Sequence, residues 1–267
     1  MNMGSFLKRL VIILTILIIV YPIIPLFIQS IAGPWNYKDL FPSSFTFDNY
    51  AEIFDVYNLS TVIVNSVIVS LVVVVVCFIF AIFPAKYVGT RDFKGKTFVQ
   101  VAMMMPVMAP SIIVLFGIGR LFAKMGFYRT YVSLVLAEVV FLIPYMIMVL
   151  VPVFRNYDSG VEDQAATLGV GRLSILLNIT LPSIKSGVAV SCLYVFISSW
   201  ATYLAVDMYA PINFNTMGLI MYPAIKYGQV SDTMLAAMTI IFFIPSVLFL
   251  IFSTMVMGTD KVNNQKV

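Results

Sequence analysis

Residues 161–182 read VEDQAATLGVGRLSILLNITLP. This is the one polar, helix-capable stretch of its length in a chain otherwise built for a membrane. It opens Glu-Asp-Gln-Ala-Ala, breaks at Gly169-Val170-Gly171, continues as an amphipathic turn and stops at Leu181-Pro182. Asp158 or Ser159 is placed to N-cap its first helix, and Glu162 and Asp163 in that helix's first turn suit the positive end of the helix dipole. Ala165, Ala166 and Leu168 give a compact apolar face. Gly169 and Gly171 permit a tight turn or a close backbone approach. Leu173, Leu176, Leu177 and Ile179-Thr180-Leu181 then run toward the membrane, with Pro182 ending the helix. Such a helix–glycine–helix element predicts a docking piece for a soluble partner. The plainer reading of the same pattern is an amphipathic helix lying in the membrane interface.

Around this stretch the chain is strongly apolar: 61% hydrophobic and 10% charged residues, with a mean hydropathy of +1.01. Soluble domains are about 45–50% apolar and about 25% charged, so the composition implies an integral membrane protein. His is absent, which excludes His-based acid–base catalysis, His-metal sites and the usual hydrolase triads. Cys77 and Cys192 fall inside apolar runs without metal-like spacing and read as small hydrophobes in packed helices.

Six apolar runs approach the length of about 20 residues that a spanning helix needs: about 10–31, 60–85, 98–122, 131–154, 184–206 and 234–257. Several hold Pro (Pro22, Pro25, Pro106, Pro110, Pro144, Pro152 and Pro245), which kinks bundled membrane helices without forbidding them. The second run is rich in Val and reads locally as a strand, but its length decides for helix. With an inside N-terminus, the cytoplasmic side holds Lys8, Arg9, Lys86, Arg91, Lys94, Lys96, Arg155, Arg172, Lys185, Lys261 and Lys266. The outer side holds Lys38, Arg120, Lys124, Arg129 and Lys226. That bias predicts cytoplasmic termini, and it accounts for the net charge of +4 without nucleic acid. The first run has a basic start at Lys8-Arg9 but is too long for a signal peptide and lacks an A-x-A site, so it reads as an uncleaved span. The outer loop from Ala32 to about Ser60 carries Trp35, Tyr37 and Phe41, suited to an interfacial belt, and a short surface helix is expected at Tyr50–Phe54.

The loop after the second run holds Gly89-Thr90-Arg91-Asp92-Phe93-Lys94-Gly95-Lys96-Thr97, which superficially suggests a nucleotide-binding loop. A phosphate-binding loop has four residues between its first Gly and the Gly-Lys pair, and here five intervene, with no sheet strand before them. Neither H-E-x-x-H nor G-x-S-x-G occurs, so no catalytic constellation supports a membrane enzyme.

The quoted stretch resembles the EAA loop of the inner-membrane permease subunits of binding-protein-dependent ABC importers. Glu162 and Asp163 take the acidic pair, Gln164 and Ala165 the two alanines, Leu168-Gly169 the Leu-Gly and Leu181-Pro182 the closing pair. Asp163 and Gln164 depart from Glu and Ala, the first keeping the charge and the second remaining helix-compatible. The resemblance covers almost the whole chain: Phe47-Asp48-Asn49-Tyr50, Asn65-Ser66, Ala85 to Gly95, Met104-Met105-Pro106-Val107-Met108-Ala109-Pro110 and Pro144-Tyr145 are similar to the family's pattern. It implies an all-α type I importer permease of six transmembrane helices in a bacterial inner membrane. Residues 1–58 would form the first helix and outer loop, 59–260 the permease core with its coupling loop at 158–182, and 261–267 a cytoplasmic tail. It further implies no cofactor in this chain, with ATP and Mg on a dimer of separate ATPase subunits. A second permease subunit, expected to be a paralogue, and an external solute-binding protein complete the machine. The coupling residues would be Glu162, Asp163, Ala165, Leu168, Gly169, Gly171, Leu181 and Pro182. The Leu-Gly form is more similar to permeases for polyamines, iron(III), phosphonates or thiamine than to sugar permeases, which show Asp-Gly there.

Two polar features lie within the spans. Glu138 sits in the fourth run, where an ionised carboxylate must face the bundle interior, water or ligand, or else be a hydrogen-bonded packing residue. Ser198 to Tyr203, with Trp200, Tyr203 and the nearby Asp207, forms a polar-aromatic cluster that lines a solute path or merely anchors the interface. If Glu138 and Asp207 share a cavity, a cationic solute is favoured. The alternative to an importer subunit is a self-sufficient channel or secondary transporter, which would be expected to show an internal repeat; none is evident between residues 1–130 and 131–267.

Overall fold

The computed structural model describes residues 3–35 and 41–263. Tyr37, Lys38 and Lys266, used above for the belt and the charge bias, lie outside the described residues, as does the side chain of Lys261. In chain order the helices are α1 (Met3–Val20), α2 (Ile23–Ser30), α3 (Asp48–Tyr57), α4 (Leu59–Thr90), α5 (Lys96–Met108), α6 (Ser111–Lys124) and α7 (Tyr131–Arg155). There follow α8 (Gly160–Thr167), α9 (Arg172–Ile175), a π turn (Leu176–Thr180), α10 (Leu181–Ser183), α11 (Lys185–Trp200), α12 (Leu204–Tyr209), α13 (Met217–Tyr227) and α14 (Asp232–Asn263). Among the described residues the extended pairing is one isolated bridge, Ala32 to Phe45.

Four segments are long and apolar enough to cross a membrane: Lys8–Ser30, which runs through α1 and α2 with a turn at Tyr21-Pro22, and the single helices Leu59–Thr90, Tyr131–Arg155 and Asp232–Gly258. Two helix pairs reach the same standard only together, Lys96–Met108 with Ser111–Lys124 bent by 91° and Arg172–Ser183 with Lys185–Trp200 bent by 83°, which brings the total to six. The Val-rich second run is helical throughout. The expected continuous third span is broken at Ala109, whose φ −84° and ψ 147° are extended. A following proline forces this, because its ring disfavours helical geometry in the residue before it. The expected fifth span, 184–206, also departs from a single helix: α11 stops at Trp200 and α12 begins only at Leu204.

The chain divides into two compact units by internal contacts. The first comprises residues 1–62 and 220–244. Its α1 is exposed apolar surface along the segment from Leu10 to Val20, as befits a helix whose surroundings are lipid. The helix expected near Tyr50–Phe54 is α3, tied down by Asn49, whose Nδ2 donates to the carbonyls of Ser30 (3.2 Å) and Ala32 (2.8 Å). Tyr50 donates its hydroxyl to Ser30 Oγ at 2.9 Å, and Thr233 donates to Asn49 Oδ1 at 3.2 Å.

The second unit comprises residues 63–219 and 245–267, and α7 is its centre. A capping box starts this helix, Ser133 N–H donating to Thr130 Oγ1 and Thr130 N–H to Ser133 Oγ. Leu134, Glu138, Leu142, Met146, Leu150 and Phe154 recur at helical spacing along its buried face. Gly89 of α4 is required where it packs on the end of α7: a Cβ there would lie 2.5 Å from Phe154 Cβ and 2.9 Å from the Val151 carbonyl oxygen. Asn65 and Ser66 hold the start of α13, Asn65 Nδ2 donating to the Asn215 carbonyl and Ser66 Oγ accepting from Met217 N–H. The Phe196 and Phe249 rings stack at 4.3 Å, joining α11 to α14.

Candidate functional site

Every predicted site residue falls in the second unit. In the loop, α8 begins one residue after Ser159, whose backbone is already helical and whose hydroxyl makes no cap. Asp158 takes that part, its Oδ1 accepting from Gly160 N–H at 2.9 Å. Glu162 and Asp163 do occupy the first turn. The helix ends with Gly169 in the left-handed region at φ +81°, Gly169 N–H donating to the Ala166 carbonyl and Val170 N–H to the Ala165 carbonyl. Those two bonds are a Schellman closure, which favours glycine because a Cβ strains this backbone. Gly171 is different: at φ −65° and ψ 148° it is extended, a conformation open to any residue, so only the first glycine is needed for the turn. Pro182 lies within α10, and the stop comes at Ile184.

The expected apolar face of α8 is divided. Ala165 is buried, whereas Leu168 is 84% exposed, because it caps the helix where the chain has begun to turn. Leu173 and Leu177 are exposed as well, and Ile175 is buried. The loop therefore holds small or branched groups inward and presents leucines outward.

Glu162 faces inward, its side chain 13% exposed. Its Oε2 accepts from Lys86 Nζ of α4 at 2.5 Å and its Oε1 from Thr180 Oγ1 of the π turn at 2.6 Å. Burial pushes the carboxyl up, but the hydrogen bonds from Lys86 and Thr180 and the Lys86 charge outweigh it and hold the group below its ordinary value of 4.5. Burial, and then the Glu162 carboxylate beside it, push the Tyr157 phenol up to about 12. Glu162 thus braces α8 against two other segments, while Asp163 beside it is exposed. The 76-residue separation of Lys86 and Glu162 left no local signal of this pair.

Glu138 is 3% exposed. Ser199 Oγ of α11 donates to its Oε2, and its Oε1 is buried without a hydrogen-bond partner among the described residues. It lines a cavity of about 370 Å³ with Val107 and Ala109 of the α5 end, Ser111 and Leu115 of α6, Phe141 and Tyr145 of α7, and Ser198, Thr202 and Ala205. Asp207 does not line it; that side chain is exposed, and its carbonyl accepts from Arg129 at 3.0 Å. Nor do Trp200 and Tyr203 line it. Trp200 is fully buried, its ring beside Phe196 at 6.3 Å, so it packs the core instead of anchoring an interface. The condition that Glu138 and Asp207 share a cavity is not met, while Ser198 and Thr202 of the same cluster line the cavity with Glu138.

Residues 77–263 match the sequence profile of the binding-protein-dependent transport system inner membrane component. The chain belongs to this family. It is an ABC importer permease subunit, a multi-pass protein of the inner membrane. The permease is 24% identical over 202 residues to the inner membrane ABC transporter permease protein YcjP of Escherichia coli, covering 73% of this chain and 72% of that one. It is 27% identical to the trehalose transport system permease protein SugB of Mycobacterium tuberculosis (67% and 66% covered). It is 26% identical to the spermidine/putrescine permease protein PotC of Haemophilus influenzae (51% and 53%). Its fold matches a chain of a bacterial ABC transporter that imports the acidic polysaccharide alginate, with a TM-score of 0.75 at 17% identity, covering 94% of the permease and 95% of that chain. These relatives carry saccharide as well as polyamine names. The solute class is therefore not fixed by these likenesses, and the expectation that the Leu168-Gly169 form points away from sugars finds no support in them.

Proposed function

We propose that the permease carries a small saccharide across the membrane and takes its drive from a separate ATPase docked on residues 158–182. The observation that carries the docking half is the loop's geometry: Leu168 stands out at 84% exposure on a left-handed Gly169 turn, while Glu162 braces α8 from behind through Lys86 and Thr180. A rigid element with an exposed apolar tip suits insertion into a cleft of a partner, and its bracing gives motion there a route into α4. Leu168, Gly169 and the exposed Asp163 form the contact side, Ala165 and Glu162 the inner side. Leu181 and Pro182 join the loop to α11, and Gly171 spaces the two helices. ATP and Mg belong to the partner. A second permease, as a paralogue, and an external solute-binding protein complete the assembly.

The saccharide half is supported by the trehalose permease among the relatives and by the likeness to the alginate importer's fold. A cationic solute is the second reading, favoured by the Glu138 carboxylate and the spermidine/putrescine relative. Gly169→Asp tests the docking role: uptake should fall to background while the protein still inserts and assembles with its second permease. Wild-type transport by that variant would remove the loop from the mechanism.

A further inference from the structure

We infer that the cavity at Glu138 is a solute subsite for a neutral, hydroxyl-rich ring, a saccharide unit, in preference to a cation. This rests on the importer reading and adds which groups of the permease hold the cargo in transit.

Three observations meet at one place. The first is the carboxylate itself: one oxygen is satisfied by Ser199, and the other is buried, unpartnered and on the wall of a cavity. A buried polar atom left without a partner is costly and calls for a donor from outside the chain. The second is that both interrupted helices open onto the same cavity. Ala109 and Ser111 flank the break between α5 and α6, and Thr202 lies in the break between α11 and α12. Irregular backbone at membrane depth is tolerated where it lines a cavity, and discontinuous helices are where membrane transporters build their sites. No side chain caps the start of α6; the Ile113 N–H donates to the Pro110 carbonyl, which leaves the Ser111 and Ile112 N–H groups as donors. The third is the lining: the hydroxyls of Ser111, Ser198, Thr202 and Tyr145, the ring of Phe141, and no basic residue among the described residues there.

The mixture of donors and acceptors selects the ligand class. An ammonium offers donors alone; it satisfies Glu138 but leaves the backbone N–H groups at α6 unanswered. A sugar ring offers both in every hydroxyl. Its apolar face suits an aromatic ring, which Phe141 and Tyr145 supply. Glu138 is then a positioning acceptor for a sugar hydroxyl, held in place by Ser199.

The assembled transporter in proteoliposomes tests this with dicyclohexylcarbodiimide, which adds across a carboxyl to leave a stable N-acylurea that peptide mass spectrometry locates. Glu138 should label in the absence of solute. One of trehalose, maltose, arabinotriose or diacetylchitobiose should suppress that labelling several-fold at saturating concentration, and spermidine should not. Glu138→Gln should lose the label while retaining assembly. Absence of labelling in the wild type, protection by spermidine alone, or protection by none of the four sugars overturns the subsite. ATP-driven uptake in the same liposomes separates the two ideas. Uptake of a sugar that gives no protection discards the subsite and keeps the importer reading; protection without uptake of any of the four sugars does the reverse.

Discussion

Among its described residues the permease has two largely buried carboxylates, and they are satisfied differently. Glu162 has a donor on each oxygen, Lys86 on one and Thr180 on the other. Glu138 has Ser199 on one oxygen and a cavity at the other. A fully satisfied carboxylate in a partly dry site is a fixed joint, since removing any one donor leaves charge without compensation. A half-satisfied one is a vacancy in the hydrogen-bond inventory, whose value to the fold is small and whose value to a ligand is large. The same chemical group thus serves as a brace in the first turn of α8 and as an open acceptor within α7.

The sharpest way to break the contrast is Lys86→Met. It should leave Glu162 with one donor and destabilise the permease by about 2 kcal/mol, read as a lower thermal midpoint in detergent, with uptake falling further than stability because α8 loses its tie to α4. An unchanged midpoint would mean that the ion pair is not a joint. Thr180→Val removes the weaker donor and should cost about 1 kcal/mol by the same measurement. Glu138→Leu, by contrast, should leave the midpoint level or raise it by up to about 1 kcal/mol, because an apolar group replaces a half-satisfied polar one. A fall as large as that of Lys86→Met would make the two carboxylates equivalent after all.

Acid gives the smallest and most selective effect. The folded carboxyl of Glu162 lies below its ordinary value of 4.5, so its contribution is fully present above that value and is lost as pH falls through the depressed one. Thermal midpoints of the wild type should therefore drop more between pH 5 and 3 than those of Glu162→Gln, which has no carboxyl to protonate. Parallel curves would show that the brace carries no charge-dependent stability.

What the sequence disclosed followed from short-range physics. The apolar runs announced their helices by length, and the acidic first turn, the alanines and Gly169 announced α8 and its closure. Proline marked the third span, but Pro106 and Pro110 look alike in sequence and act differently: Pro106 stays inside α5, while Pro110 follows the extended Ala109 and splits the span. The fifth span's interruption at 201–203 carries no proline or glycine, so nothing local announced it. The pairing of Glu162 with Lys86, the burial of Trp200 and the separation of Asp207 from Glu138 depend on which helix faces which. A single sequence encodes that only through packing, and so the site was legible in its residue types but not in its partners.

The π turn at Leu176–Thr180 has a genetic meaning. Such a turn is a helix carrying one residue more than its winding needs. Excising Asn178 would return the segment to ordinary α geometry while the helices on either side keep their facing. Thr180 would still meet Glu162 with its hydroxyl intact. A one-codon deletion should therefore be better tolerated than Thr180→Val, although it removes a whole residue from the loop.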